Sequence, residues 1–141
     1  MKRKIFTFKE RKKVHKKYGK RCAYCGDKIT YPQMQIDHIV PMYNYELFFR
    51  TWITTKFNRG IPEFLLHLKM NDVNHFDNLN PSCRVCNKAK DTFSLEVFRS
   101  ELESQLDRAF KQSSNYRRAL KFNQVKETRK PIIFHFEKIR K

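Results

Sequence analysis

The chain has 141 residues, a length that suits one domain with one modest hydrophobic core. Lysine and arginine total 31 against 14 acidic residues, which gives a formal net charge of +17. A surplus of this size indicates a polyanionic partner, most often nucleic acid and less often an anionic membrane. The content of 40% hydrophobic and 14% aromatic residues excludes a disordered tail protein. No apolar run approaches a spanning helix, and the start, MKRKIFTFKERKK, does not resemble a signal peptide, so we expect a cytoplasmic protein without a membrane partner.

The positive charge is concentrated at the two ends of the chain. Residues 1–21 have a net charge of +10 and residues 111–141 a net charge of +8, whereas residues 22–110 have a net charge of −1. We therefore expect the ends to contact phosphates and the middle to carry the fold and the chemistry. Basic ends that only aid solubility are the alternative.

The first predicted element is a helix over Thr7–Tyr18. Thr7 and Glu10 stand at capping-box spacing, and Gly19 can end the helix in a left-handed conformation. Basic side chains cover most of its surface, and we expect them to bind nucleic acid; they include Lys12, Lys13, Lys16 and Lys17.

The middle of the chain predicts a strand over Met34–Val40, which ends at Pro41. Residues 44–57 and 62–70 have helical patterns and together suggest an insertion at about 43–70. Residues 71–81 are rich in Asn and Asp and predict a loop. A helix is expected to begin near Cys83, an amphipathic helix to cover 94–110, and residues 131–136 to form a short β-like run.

The four cysteines form two CxxC pairs, Cys22 with Cys25 and Cys83 with Cys86. Each pair directs two sulfurs at one centre, and four sulfurs suit a closed structural Zn²⁺ site. The 57 residues between the pairs would make this zinc a clip that closes a long loop. Unpaired core cysteines are the alternative, and a redox role is disfavoured because neither pair opens a βαβ pattern.

Candidate catalytic side chains lie near these pairs. Asp37 and His38 stand at the end of the predicted strand, Asn78 lies in the loop before the second pair, and Asn87 directly follows Cys86. Asparagine also favours caps and turns, so Asn78 and Asn87 have structural alternatives. The other histidines show no comparable context and are expected to be structural or exposed; they are His15, His67, His75 and His135.

The motifs CAYC, IDHIVP, DNL and CRVCNKAK, in this order over residues 22–90, resemble the HNH nuclease family, a branch of the ββα-metal endonucleases. The three letters of the family name would fall on His38, Asn78 and Asn87. The third is Asn where many members have His, and a neutral oxygen ligand favours Mg²⁺ or Mn²⁺. The 36 residues between Pro41 and Asn78 exceed a minimal family hairpin.

The resemblance implies an α+β fold. Its ββα-metal core would be clamped by the cysteine-bound zinc, with a helical insertion and flanking helices. His38 would be the general base, Asp37 and Asn87 would hold one Mg²⁺ or Mn²⁺, and Asn78 would orient His38. Three basic residues near the site are candidate phosphate contacts, with a plain solvated role as the alternative; they are Arg84, Lys88 and Lys90.

The sequence thus predicts one domain over residues 1–141, with a basic helix over 1–21, a zinc-clamped core over 22–92 and a C-terminal helix with a basic tail over 93–141. The predicted function is a metal-dependent endonuclease acting on DNA, expected to be double-stranded, that nicks as a monomer. Alternatives are a non-catalytic zinc-stabilised nucleic-acid-binding module, a ribonuclease, or an accessory subunit of a defence or packaging system.

Overall fold

A computed structural model of the chain describes residues 3–43, 45–46 and 61–140, which form a mixed α+β structure. The helical prediction for residues 44–57 lies almost entirely outside these ranges. Among the described helices, none has the length and apolar character needed to cross a membrane. The described helices are α1 (Phe8–Lys16), α2 (Arg84–Lys90), α3 (Leu95–Glu103), α4 (Gln105–Gln112), α5 (Ser114–Lys121) and α6 (His135–Ile139).

Helix α1 begins at the predicted capping box. The Thr7 hydroxyl accepts the Glu10 backbone N–H at 3.2 Å, and the Glu10 carboxylate accepts the Thr7 N–H at 2.8 Å. Gly19 has a φ of +67°, as expected for a residue that ends a helix in the left-handed region. The face with Val14 and Tyr18 is buried, so the helix is anchored to the core by its apolar side.

The sheet has two antiparallel strands, β1 (Gln35–His38) and β2 (Leu79–Ser82). Asp37 lies opposite Asn80, and His38 lies opposite Leu79. The loop prediction for 71–81 is wrong at its end, because residues 79–82 pair with β1 and are all buried. Helix α2 begins two residues after β2, so the chain runs strand, strand, helix around the predicted site.

Two other predicted helices differ from the structure. The predicted helix over 94–110 is divided into α3 and α4 at Ser104, whose φ and ψ are −91° and 0° and whose hydroxyl donates to the Ser100 carbonyl at 2.8 Å. Such back-bonding competes with the helical ladder. Residues 62–70 form one 3-10 turn, Glu63–Leu65, followed by turns.

The core closes with the C-terminal segment. Phe134 stacks on Phe98 with ring centroids 5.4 Å apart, and both rings contact Tyr24 edge-on. The β-like prediction for 131–136 is wrong as a strand: the segment leads into α6, and the N–H groups of His135 and Phe136 donate to the carbonyls of Tyr24 and Ala23. The C-terminal segment therefore packs directly on the first cysteine pair.

Lys17 joins α1 to β2. Its ammonium donates to the carbonyls of Phe76 at 3.0 Å and Leu79 at 2.7 Å. Two of the three ammonium donors of Lys17 are therefore used inside the fold, and its role in binding nucleic acid stays a prediction. Burial lowers the pKa of this ammonium from 10.5 to about 8.

This lowered pKa predicts a pH effect on stability. The unfolded chain holds the Lys17 proton up to pH 10.5 while the folded chain loses it near pH 8, so the free energy of unfolding should rise with pH between these values. The expected slope is at most about 1.4 kcal/mol per pH unit. Urea unfolding at several pH values should show this slope for the wild type and lose it in Lys17→Met. Parallel curves for the two proteins would contradict the assignment.

Candidate functional site

The four cysteine sulfurs form one cluster. All four Sγ atoms lie within 4.8 Å of one another. The Cys25 and Cys83 sulfurs are 3.9 Å apart, close to the edge of about 3.8 Å expected for a tetrahedron with Zn–S bonds of about 2.3 Å. The cluster can therefore bind a structural metal such as zinc, and it leaves no sulfur free to act elsewhere.

The local backbone explains why the sulfurs converge. Gly26 has a φ of +81° and donates its N–H to the Cys22 carbonyl. This bond closes the turn around Cys22 and Cys25, called here the first knuckle; the turn with Cys83 and Cys86 is the second. In the second knuckle, Cys83 caps α2 and its sulfur accepts the Cys86 N–H at 3.4 Å. Hydrogen bonding with Cys86 and with backbone N–H groups lowers the pKa of Cys22 to about 4. This shift favours the thiolate, the form that ligates metals, at Cys22. Burial raises the pKa of Cys25, and hydrogen bonding with Cys22 raises that of Cys86.

Asp37 lies in a buried polar cluster between β1 and α2. It is 5% exposed, accepts a hydrogen bond from the Tyr24 hydroxyl, and has its two oxygens 3.3 and 3.1 Å from the Lys90 ammonium. Lys90 is fully buried and also donates to the His38 carbonyl at 2.9 Å. Burial raises the pKa of Asp37 and lowers that of Lys90, while their mutual attraction opposes both shifts.

The prediction that Lys90 contacts phosphate is therefore wrong. The Lys90 side chain is fully buried, and its ammonium forms an ion pair with Asp37. The opposite strand adds Asn80, whose Nδ2 lies 3.5 Å from the Tyr24 hydroxyl. Its buried Oδ1 has no hydrogen-bond partner among the described residues, so this cluster retains an unused oxygen ligand beside Asp37.

His38 lies at the end of β1 and is partly buried. Its Nε2 lies 2.8 Å from Oδ1 of Asn74, and its ring contacts Phe6 with centroids 6.2 Å apart. Burial lowers the pKa of His38, and the Asn74 contact and the Asp37 charge oppose this shift. The ring is therefore held at one nitrogen, and burial favours its neutral form, which is the state a general base requires.

Asn78 does not hold the imidazole as predicted. Its Oδ1 accepts the Val40 N–H at 2.8 Å, and its Nδ2 donates to the carbonyls of Val40 at 3.1 Å and Val73 at 2.8 Å. The carboxamide of Asn78 is therefore bonded entirely to backbone groups. These bonds hold the residues that follow β1 against the turn that precedes β2. Asn74, which is not among the predicted site residues, contacts the His38 ring instead.

Asn87 faces β1 from α2, but its amide donates to Oε1 of Gln35 at 2.7 Å rather than contacting Asp37. Gln35 and Asp37 lie on the same face of β1, about 7 Å apart along the strand. The structure therefore places the two predicted cation ligands on one side of the sheet, with the Asn87 amide directed at Gln35.

The remaining predicted nucleic-acid contacts are exposed. Lys12, Lys13 and Lys16 project from α1, and Arg84 and Lys88 project from α2. Lys13 also lies over the Phe76 ring, 4.3 Å from its centroid. Their availability to solvent agrees with the predicted role and with a plain solvated one.

Comparison with known proteins does not assign a family. No protein-family model, no curated protein and no solved structure matches this chain. The HNH likeness therefore stands on its sequence motifs, and the function has to be argued from the side chains described above.

Two residues of the site, Tyr24 and Asn74, are not among the predicted catalytic or metal-binding residues. Tyr24 lies between the two cysteines of the first CxxC pair. Its ring is buried, and its hydroxyl donates a hydrogen bond to Asp37. Asn74 stands in an Asn- and Asp-rich stretch without a periodic pattern, so only the fold shows that it meets His38.

Proposed function

We propose that this protein is a metal-dependent endonuclease of the HNH type that hydrolyses phosphodiester bonds in DNA, with His38 as the general base. The observation that carries the proposal is the held imidazole: His38 ends a strand, has one nitrogen on Asn74, and directly follows a buried carboxylate in the chain. Burial lowers its pKa, which favours the neutral ring. The strand–strand–helix order and the four-cysteine cluster also support this proposal.

The donor set around Asp37 suits a hard divalent cation. Asp37 supplies a carboxylate, Asn80 an unpartnered buried oxygen, and Asn87 a carboxamide on the same side of the sheet. Oxygen ligands of this kind favour Mg²⁺ or Mn²⁺. Such a cation supplies Lewis-acid stabilisation of the charge that develops on a phosphate. Because Lys90 holds both Asp37 oxygens, a cation at Asp37 requires that ion pair to open on one side.

The chain's own residues have separable tasks in this proposal. His38 accepts a proton from the attacking water, and Asn74 holds the ring in one orientation for that step. Asn78 fixes the backbone that follows β1. Exposed Lys12, Lys13, Lys16, Arg84 and Lys88 attract the DNA backbone, which gives salt-sensitive affinity without sequence choice.

The decisive experiment is replacement of the base. His38→Ala should lower nicking of supercoiled plasmid in Mg²⁺ or Mn²⁺ by about 100-fold or more, because a positioned general base contributes about 10² to 10⁴ in rate. Metal content and DNA binding by fluorescence anisotropy should stay at wild-type levels. A matched control, His135→Gln, changes another partly buried imidazole and should keep full activity. Unchanged nicking in His38→Ala would contradict the assignment of the base.

A second candidate is a non-catalytic zinc-stabilised module that binds nucleic acid. The complete neutralisation of Asp37 by Lys90 favours it, because a buried ion pair is also a structural device. A panel of single- and double-stranded DNA and RNA, each with Mg²⁺ and with Mn²⁺, separates the possibilities. Binding without cleavage of any member would establish the module, and cleavage of RNA alone would establish a ribonuclease.

A further inference from the structure

A second group of metal-ligating side chains lies apart from the cysteines, in the turns before β2. His67, His75 and Asp77 each offer a ligand atom, and these atoms lie within 4.8 Å of one another. The exposed fractions of their side chains are 53%, 43% and 39%, so an ion from solvent can reach them. No step of the proposed hydrolysis uses these residues.

The distances suit a transition metal. Nε2 of His67 lies 2.8 Å from Oδ2 of Asp77, and Nδ1 of His75 lies 3.7 Å from the same oxygen. With metal–ligand bonds of about 2.0 Å, the edge of a tetrahedron is about 3.3 Å, and the two measured distances bracket that value. Small side-chain rotations would therefore bring all three atoms onto one ion.

The backbone fixes two of the three ligands relative to each other. His75 caps the 3-10 turn Phe76–Asn78, and its Nδ1 accepts the Asp77 N–H at 3.1 Å. A nitrogen that accepts a hydrogen bond carries no proton, and Nδ1 has one lone pair, so an ion bound there would replace the hydrogen bond from the Asp77 N–H. His75 and Asp77, two residues apart, thus present their ligand atoms from the same turn.

The third ligand comes from an anchored turn. His67 lies between Leu65 and Leu68, which are both buried, and the Leu68 N–H donates to the Leu65 carbonyl at 3.0 Å. The His67 and His75 rings meet edge-on with centroids 5.9 Å apart. The core therefore holds the His67 side chain over the turn that carries the other two ligands.

We propose that His67, His75 and Asp77 form a second metal site, which takes one divalent transition-metal ion with Zn²⁺ as the first expectation. Two imidazoles and one carboxylate are a common donor set for Zn²⁺, and three protein ligands leave a coordination position for water. The ion would join the 65–68 turn to the 75–77 turn, which lies next to Asn74 and Asn78. The proposal does not depend on nuclease activity.

The test counts metal ions. Protein with its cysteine cluster filled by one Zn²⁺ is titrated with further Zn²⁺ by calorimetry, with metal content measured after dialysis. The wild type should take up one additional ion per chain. A double variant, His67→Ala with His75→Asn, should lose this second ion and keep the first. Asparagine at 75 retains an acceptor for the Asp77 N–H, so the turn keeps its cap.

A second measurement identifies the ligands. Co²⁺ added to the zinc-filled protein should give visible absorption without the near-ultraviolet thiolate-to-cobalt band, because the new site has no sulfur. The control His135→Gln should behave as wild type in both assays. The proposal is overturned if the wild type binds only one ion, which would leave an ordinary surface His–Asp pair. It is also overturned if the double variant still binds a second ion.

Discussion

The four-cysteine cluster can bind a structural metal, and removal of a metal bound there is expected to unfold the protein. Binding of a structural Zn²⁺ contributes on the order of 10 kcal/mol, which equals the whole net stability of a typical domain. The cluster also joins residues 22–25 to the start of α2, and Tyr24 between the first two sulfurs contacts both Phe98 and Phe134. Release of the ion therefore also loosens the aromatic core.

Cys22→Ser tests this expectation without a chelator. Cys22 is fully buried, and a serine hydroxyl is a poor substitute for a thiolate. The variant should purify without its structural metal, lose its near-ultraviolet circular dichroism, and lack a cooperative thermal transition. The matched control is Val85→Ser, which changes a residue of the second knuckle that is 77% exposed. A Cys22→Ser variant that melted like the wild type would show that the cluster does not stabilise the fold.

The second large effect is expected at Lys90. Replacing it with methionine keeps the packing volume but leaves the Asp37 carboxylate buried with only the Tyr24 hydroxyl as its side-chain partner among the contacts described. Breaking one side of a buried ion pair costs about 3 to 5 kcal/mol, because the remaining charge is not compensated. Lys90→Met should therefore lower the free energy of unfolding by that amount in urea titrations of metal-saturated protein.

Two further variants make the result specific. Lys88→Met changes an exposed lysine on the same helix and should alter stability by no more than about 0.5 kcal/mol. Adding Asp37→Asn to Lys90→Met removes the orphaned charge and should restore much of the lost stability. Equal stabilities for Lys88→Met and Lys90→Met would show that the ion pair does not contribute as described.

The sequence predicts the parts of this structure that depend on local chemistry. The capping box at Thr7 and Glu10 and the convergence of the two CxxC pairs each follow from the spacing of a few residues, and both are present. The strand that carries Asp37 and His38 is also present, although it is shorter than predicted.

Long-range pairing explains what the sequence did not predict. Residues 79–82 contain asparagine, proline and serine, which disfavour a strand, and they become one only because β1 lies beside them. The sequence around Lys90 predicts an exposed charge. Lys90 is buried because it pairs with Asp37, which lies 53 residues earlier in the chain. His67 and His75 likewise have no shared pattern in the sequence and meet through two separate turns.

The contact between the C-terminal segment and the first knuckle has a consequence for biosynthesis. Phe134 and Phe136 pack against Tyr24, whose hydroxyl holds Asp37, and the backbone of 135–136 bonds to residues 23–24. A nascent chain that has not yet delivered residue 136 lacks these contacts, so the surroundings of the aspartate are completed only after residue 136 has left the ribosome. A chain that stops before Phe134 would therefore lack the aromatic packing that holds Tyr24 against Asp37.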